Sequence, residues 1–270
     1  TSHNATPSGG MSGRVYALLA RVVVRAADEL LVVSPDLHPE RSQAHRPPAR
    51  RAVVAAPSHG EQAALADRDS GRRALGVRPS QTVIMSVGRL APQKAMHRVV
   101  EVVVALRARG YDVNGVIVGE GPEREALQHQ IEGAQAPVKL LGHRNDVPAL
   151  LAAADIVVSA ALWEGQPVWL QEALALGAAI VATDVGGSRA MIGDGAAWVP
   201  GESADDADRT MAQRLTETIA GLLDDDVALV ELRAKARAAG ARLPTSADAT
   251  AAALESYRRA AAYHLRPHVD

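Results

Sequence analysis

Residues 155–187 read DIVVSAALWEGQPVWLQEALALGAAIVATDVGG, and this stretch decides the fold class. An apolar run at 156–158 precedes a Gly/Pro turn, and the segment after the turn reads as a helix ending at Gly177. A second apolar run at 179–182 and a Gly-rich turn at 184–187 complete a strand–turn–helix–strand–turn unit. Acidic and glycine positions gather where its strands end, which is where open parallel sheets bind ligands. We therefore expect part of a ligand site here.

The same alternation extends to both sides of this unit. Strands are predicted at 82–87, 113–118, 137–141, 155–159, 179–182 and 196–199, and helices at 95–109, 122–133, 146–154, 167–176 and 188–192. Strands that alternate with helices of this length indicate an α/β fold with a doubly wound, Rossmann-like parallel sheet. Residues 204–264 show no strand pattern and predict two or three Ala-rich C-terminal helices.

The chain before residue 80 is less regular. Residues 1–12 read as a disordered lead, 13–27 have helical periodicity, and 29–34 read as a short strand. Residues 36–62 are rich in Pro, Arg, His and Ser and resemble a linker that holds a brief strand at Val53 and Val54.

Composition excludes several functional classes. The 270 residues carry a net charge of −2, so no global field favours nucleic acid. Zero cysteines exclude disulfides, thiol nucleophiles and zinc–thiolate sites, and fit a reducing, cytoplasmic location. Charged residues interrupt the apolar segment 15–33, so no membrane-spanning helix is predicted, while peripheral membrane association stays open. The scattered histidines and the lack of an Asp-x-Asp motif near the turns predict no metal site.

The turn at 86–94, SVGRLAPQK, carries the first candidate binding residues. Gly88 follows a buried strand and lets the backbone approach a ligand, and Arg89 and Lys94 bracket the turn. Two cations beside a helix N-terminus suit a diphosphate, because arginine binds it bidentately and lysine adds a point charge. The alternative is that both are merely exposed basic residues.

Two further turns have simpler interpretations. The turn VGEGPE at 118–123 resembles a phosphate loop, but its two glutamates would repel an anion, so a tight strand-to-helix turn explains it better. The turn GHRND at 142–146 leads into a helix that Asp146 is expected to cap. The alternative interpretation is that its exposed backbone groups recognise the edge of a nucleobase.

Two glutamates complete the candidate site. Glu172 lies on the helix after a strand end and is suited to accept hydrogen bonds from both ribose hydroxyls. Glu164 lies earlier, in the turn, where a sugar attached to the diphosphate would reach. Together with the basic turn, these positions form a cradle for a nucleotide diphosphate ligand.

The motifs VGRLAPQK, VGEGPER, LLGHRNDVPALLAAAD, WEGQPVWLQEALALG and ATDVGG span residues 80–200 and closely resemble glycosyltransferase family 4. These are retaining, nucleotide-sugar-dependent enzymes of the GT-B fold, in which two Rossmann-like domains face each other. The resemblance implies that Arg89 and Lys94 grip the donor diphosphate, that Glu172 holds the ribose, and that the turn from His143 to Asp146 meets the base. It also implies that Glu164 and the backbone amides of Gly165, Gln166 and Val168 face the donor sugar, and that no cofactor beyond the donor substrate is needed.

The chain departs from the family pattern in three places. Ala95 stands where relatives usually carry glycine after the phosphate lysine, and Ala160-Ala161 replaces a common Pro-Ser. Residues 13–79 resemble only the end of the acceptor-binding domain and a linker, without its Gly-rich loop and usual catalytic histidine. We therefore divide the chain into a lead (1–12), a remnant and linker (13–79), a donor-binding domain (80–243), and a crossing helix and tail (244–270).

These departures leave the activity of the chain open between classes. The first interpretation is a retaining glycosyltransferase with an unknown acceptor, present mainly as its donor-binding half. The second is a non-catalytic nucleotide-sugar-binding module, or half of a split enzyme completed by another chain or by a homo-oligomer. A weaker third is another GT-B-like activity, such as a sugar-nucleotide epimerase or a phosphorylase.

Overall fold

A computed structural model describes residues 10–34, 37, 49–56, 67–201 and 210–264. Its main sheet consists of β3 Thr82–Val87, β4 Val113–Val118, β5 Val138–Leu140, β6 Ile156–Ser159, β7 Ala179–Asp184 and β8 Ala196–Pro200. All six strands are parallel, in the order β5-β4-β3-β6-β7-β8. The chain therefore winds outward in both directions from the β3–β6 pair, and the predicted doubly wound fold is confirmed.

The strands are flanked by helices, and between residues 95 and 192 the helix bounds agree with the predicted ones to within two residues. The described helices are α1 Gly10–Ala26, α2 Arg68–Leu75, α3 Met96–Ala108, α4 Arg124–Gly133, α5 Val147–Ala153, α6 Val168–Ala175, α7 Ser188–Ile192, α8 Met211–Asp224, α9 Asp226–Gly240 and α10 Ser246–His264. The last three lie within the region predicted to hold two or three helices. Helix α1 begins three positions earlier than the predicted helix at 13–27, so residues 10–12 do not belong to a disordered lead, and residues 1–9 lie outside the described range.

The core forms two apolar layers, one on each face of the sheet. Ile84 and Ile156 pack with α3 and α8 on one face, while Met85 and Val157 pack with α5 and α6 on the other. Because both faces are covered, the strands are continuous aliphatic runs rather than alternating ones. This arrangement leaves the carboxyl ends of the strands as the place where loops meet.

Helix α2 was not predicted from the sequence, because it has little apolar periodicity. Its buried Arg72 donates hydrogen bonds to the carbonyl of Ala153 at 3.2 Å and to the carboxylate of Asp155 at 3.0 Å. At Gly71 an added Cβ would lie 2.5 Å from the carbonyl oxygen of Ala149 in α5. The helix is therefore fixed by charge-assisted hydrogen bonds and close backbone contact rather than by an apolar stripe.

The N-terminal segment forms a separate two-stranded parallel sheet from β1 Leu30–Val32 and β2 Ala49–Arg51. The predicted strand at Val53 and Val54 is wrong, because pairing with β1 stops at Arg51 and the carbonyl of Val54 accepts from a side chain of α6 instead. Most of the predicted linker lies outside the described residues.

Helix α10 contacts the N-terminal segment. The carboxylate of Glu29 accepts from Ser256 Oγ at 2.7 Å and from Arg259 Nε at 2.9 Å, and pairs with Arg50 Nε at 2.9 Å. We call these four residues the Glu29 cluster.

Helix α1 carries an apolar stripe on its surface. The side chains concerned are all about half exposed or more, and they are Val15, Leu18, Leu19, Val22 and Val23. Within the described ranges, no helix combines the length and apolar character needed to cross a bilayer.

Candidate donor-binding site

A cleft of about 540 Å³ opens at the carboxyl ends of β3, β4 and β5, beside the start of α6. This is the point where the strand order reverses, the usual ligand position in such sheets. Its walls come from the three predicted turns and the start of α6. The lining residues are Val87, Gly88, Arg89, Lys94, Val118, Gly119, Glu120, His143, Arg144, Val147, Pro167, Val168, Trp169 and Glu172.

The basic turn after β3 places two cations at the cleft. The exposed side chain of Arg89 makes no hydrogen bond or ion pair with the described residues, and Lys94 ends a short 3-10 turn beginning at Pro92. Ala95, which follows, adopts a left-handed backbone with φ of 47°. That conformation favours glycine, which explains why the family that this sequence resembles usually has glycine at this position.

Lys94, which lines the cleft, also contacts the acidic turn. Its Nζ lies 2.5 Å from Oε1 of Glu164, whose side chain is only 6% exposed. Burial raises the pKa of the Glu164 carboxyl, while the charge and hydrogen bond of Lys94 act in the opposite direction. The site therefore holds a desolvated carboxyl against a cation that an incoming anion would share.

Glu164 is fixed by the backbone of the Gly-rich turn after β7. The amide of Gly187 donates to the carbonyl of Glu164 at 2.7 Å. At Gly186, which has φ of 57°, an added Cβ would lie 2.0 Å from that same oxygen. Only glycine allows this approach, so the ATDVGG motif serves to hold the acidic turn.

Two helices begin at the cleft without side-chain caps. The capping positions of α3 and α6 are Ala95 and Pro167, and neither caps its helix through a side chain. The first amides of a helix need external acceptors and carry a partial positive charge. Both helix starts therefore favour an anionic ligand group in the cleft.

The turn at 142–146 forms the far end of the cleft. Asp146 stands at the capping position of α5, but the predicted cap is wrong because its side chain makes no cap hydrogen bond. Instead its carboxylate accepts two hydrogen bonds from Arg144, at 2.8 and 2.6 Å. The hydrogen bond from Arg144 lowers the pKa of Asp146. His143 and Arg144 remain at the cleft wall.

The turn at 119–123 is a tight backbone turn, as predicted, although it also lines the cleft. The carbonyl of Glu120 accepts from the amide of Leu90 at 2.9 Å. An added Cβ at Gly119 would lie 1.9 Å from the carbonyl oxygen of Gly88. The glycines therefore let the first and second turns pack together. The side chain of Glu120 pairs with Arg124 at 3.0 Å.

The structure brings most predicted site residues to one place. Those lining the cleft are Gly88, Arg89, Lys94, His143, Val168 and Glu172, and Glu164 reaches it through Lys94. Gly165, Gln166 and Asp146 are not among the lining residues, and the Gln166 side chain turns to the N-terminal segment. Sequence reasoning missed Trp169, whose buried Nε1 has no hydrogen-bond partner among the described residues. It also missed Gln171, whose only sequence signal is a polar residue in an apolar helix.

Carboxylates and histidines are not grouped for metal binding in the described ranges. No cluster of three or more such side chains occurs there. The polar groups of the cleft are cations, single carboxylates and helix amides, which suit a phosphorylated ligand with hydroxyl groups.

Comparison with known proteins assigns this chain to a family. A family model described as Glycosyl transferases group 1 matches residues 67–242. A D-inositol 3-phosphate glycosyltransferase from Mycobacterium marinum is 33% identical over 245 residues, covering 88% of this chain and 51% of the relative. An alpha-D-kanosaminyltransferase from Streptomyces kanamyceticus is 28% identical, over 65% of this chain and 47% of the relative. The chain thus spans about half the length of the curated relatives it matches.

The fold is shared with solved structures as well. The Anabaena protein HepE, solved in complex with UDP and glucose, superposes with a TM-score of 0.70 at 20% identity. The match covers 94% of this chain and 69% of HepE.

Proposed function

This chain belongs to the group 1 glycosyl transferases, and we propose that it binds a nucleotide diphosphate sugar for transfer, with retention at the anomeric carbon, to an acceptor. The observation that carries the proposal is the convergence of Arg89, Lys94, Glu164 and Glu172 on one cleft at the β3–β6 switch point. HepE, which shares the fold, was solved with UDP and glucose.

The cationic wall would serve the leaving group. When the bond between the anomeric carbon and the diphosphate oxygen breaks, negative charge develops on the diphosphate. Arg89 and Lys94, together with the uncapped start of α3, would stabilise that charge through fixed positive groups. This assignment gives both cations a catalytic role and requires no metal ion.

The remaining residues would orient the donor. Glu172 would accept from the ribose hydroxyls, and the turn holding His143 and Asp146 would meet the base. Glu164, with the backbone amides of Gly165, Gln166 and Val168, would face the sugar. The positions of His143, Val168 and Glu172 on the cleft wall support the roles of these three residues.

A thermal-shift screen of the full chain against UDP-, GDP-, ADP- and TDP-sugars, with and without EDTA, tests donor binding. Ligand at a hundred times its Kd stabilises by about 2.7 kcal/mol, which raises Tm by roughly 5–10 °C. We expect such a shift with one nucleotide and no effect of EDTA. A shift that EDTA abolishes would contradict metal independence, and no shift with any donor would contradict the function.

A second candidate function is a nucleotide-sugar-binding module that works only with a complementing chain or a second copy. It is favoured by the exposed apolar stripe of α1, since contiguous apolar surface usually marks an interface. Incubation of the full chain with the stabilising donor and simple glycosides separates the two candidates. Turnover supports the complete enzyme, whereas binding without turnover supports the module. The zero cysteine count fits a reducing compartment, so we propose the cytoplasm as its location.

A further inference from the structure

Two glutamine side chains tie the acidic turn and α6 to the N-terminal segment. The first is Gln166, whose Nε2 donates to the carbonyl of Val33 at 3.1 Å and to that of Ala52 at 2.8 Å. Val33 directly follows β1 and Ala52 directly follows β2. One amide group therefore holds the ends of both strands.

The second is Gln171, which is fully buried on α6. Its Oε1 accepts from the amide of Ala56 at 3.1 Å, and its Nε2 donates to the carbonyl of Val54 at 3.0 Å. A buried amide without partners is costly, so the position of this residue depends on the upstream backbone.

Both glutamines lie next to a glutamate that is proposed to bind the donor. Gln166 follows Glu164 by two residues, and Gln171 directly precedes Glu172. The backbone between them and the N-terminal segment is tightly packed, because an added Cβ at Gly165 would lie 2.7 Å from Cγ2 of Val33. Each candidate ligand carboxylate therefore has a neighbour fastened to the same segment.

We propose that Gln166 and Gln171 are positioning residues, through which the strand ends at 33–34 and 52–56 set the placement of Glu164 and Glu172. The inference rests on the proposed function, because donor affinity is the property these residues would control. Displacements near 1 Å in a preorganised site cost about tenfold to a hundredfold in function. Loss of either side-chain amide would allow such a displacement while leaving every group proposed to contact the ligand in the chain.

The test uses Gln166→Met and Gln171→Met in the full chain, since methionine keeps the side-chain length but forms no comparable bonds. Gln130→Met is the matched control, because its Nε2 donates one exposed hydrogen bond to the carbonyl of His97, at 3.2 Å. Calorimetry compares each nucleoside diphosphate with its sugar: UDP with UDP-glucose, GDP with GDP-mannose, ADP with ADP-glucose and TDP with TDP-glucose. We expect Gln166→Met to weaken nucleotide-sugar binding about tenfold while leaving nucleoside diphosphate binding within about twofold. Gln171→Met should weaken both about tenfold, and the control neither.

A purely structural role predicts a lower Tm with unchanged affinities, and that result would overturn the inference. If the native chain binds none of these ligands, the proposed function fails and hydrogen exchange decides the inference separately. The reporter is the amide of Gly187, which donates to the carbonyl of Glu164 at 2.7 Å. Faster exchange in Gln166→Met than in the control supports positioning, and equal exchange overturns it.

Discussion

Lys94 Nζ lies 2.5 Å from Glu164 Oε1, and this contact joins the turn after β3 to the turn after β6 beside the candidate cleft. The Glu164 carboxylate thus pairs with the cation that a diphosphate would need. A donor diphosphate bound as proposed would either draw Lys94 partly away from Glu164 or add its charge to the existing pair. Several consequences of this arrangement can be measured.

Removal of the lysine is the most direct test of the cradle. We expect Lys94→Ala to abolish measurable donor binding, because a charge-assisted contact to phosphate is lost and Glu164 is left buried without its partner, a cost of about 3 kcal/mol or more. Calorimetry with the stabilising donor measures the effect. Lys235→Ala is the matched control, since Lys235 is exposed on α9. Near-native affinity in Lys94→Ala would refute the assignment.

Glu164 should make stability depend on pH. Burial raises its folded-state pKa above the ordinary 4.5. Its contribution to the free energy of unfolding is therefore full below pH 4.5 and is lost as pH rises through the raised pKa. Urea unfolding from pH 4 to 8 should show native stability falling with pH relative to Glu164→Gln, which cannot titrate. If the native chain instead gains stability relative to Glu164→Gln as pH rises toward neutral, this sign is wrong.

Glu172 can be tested through the ribose alone. If its carboxylate accepts from the ribose hydroxyls, the native chain should prefer a ribonucleotide over its 2′-deoxy analogue by roughly tenfold or more. Glu172→Ala should bind both more weakly and with similar affinity. Competition calorimetry with the two nucleoside diphosphates measures the ratio. Retention of the preference in Glu172→Ala would place the ribose elsewhere.

The ends of α3 and α4 allow a matched stability experiment outside the site. Both helices close with the same pair of backbone hydrogen bonds, with Gly110 at φ of 94° in one and the exposed Gln135 at φ of 49° in the other. We expect Gln135→Gly to raise the free energy of unfolding by about 0.5–1 kcal/mol and Gly110→Ala to lower it similarly. No atom lies within 4 Å of a Cβ added at Gly110, so sterics do not interfere. Equal Tm values would show that helix-end conformation is not limiting.

The Glu29 cluster should hold α10 in a pH-dependent way. Burial acts to raise the pKa of Glu29, but hydrogen bonds from Ser256 and Arg259 and the nearby charges outweigh it and lower the pKa. The stabilisation is therefore present above pH 4.5 and is lost as pH falls through the lowered pKa. Glu29→Gln should speed hydrogen exchange in α10 at pH 7 and leave α8 unchanged. Equal exchange of α10 in the native chain and in Glu29→Gln would show that the cluster contributes little.

The sheet was predictable because each buried parallel strand is encoded by a short aliphatic run in the local sequence. The predicted strand at 82–87 and helix at 188–192 match the structure residue for residue. Strand β7 extends two residues past its prediction, to Asp184, because pairing with β8 continues beyond the apolar run. Such ends depend on the neighbouring strand rather than on local sequence.

Each miss depends on a side-chain partner, and for α2 and Gln171 that partner is distant in the sequence. Helix α2 depends on Arg72 bonding to groups near Asp155, and Gln171 depends on backbone groups at Val54 and Ala56. Asp146 was a reasonable cap by residue type, but Arg144 beside it offered a stronger partner. Motif order located the cleft, whereas the side-chain partners that hold its walls carried no local signal.

The glutamine bonds also bear on how the domain should be cut for study. The family match begins at residue 67, which makes a fragment from 67 onward an obvious choice for expression. Such a fragment would retain the whole main sheet and every residue that lines the cleft. It would nevertheless leave the buried side-chain amide of Gln171 without its hydrogen-bond partners at Val54 and Ala56. It would also expose the backbone around Gly165 to solvent. A minimal binding fragment therefore has to include the strands that precede the recognised domain boundary.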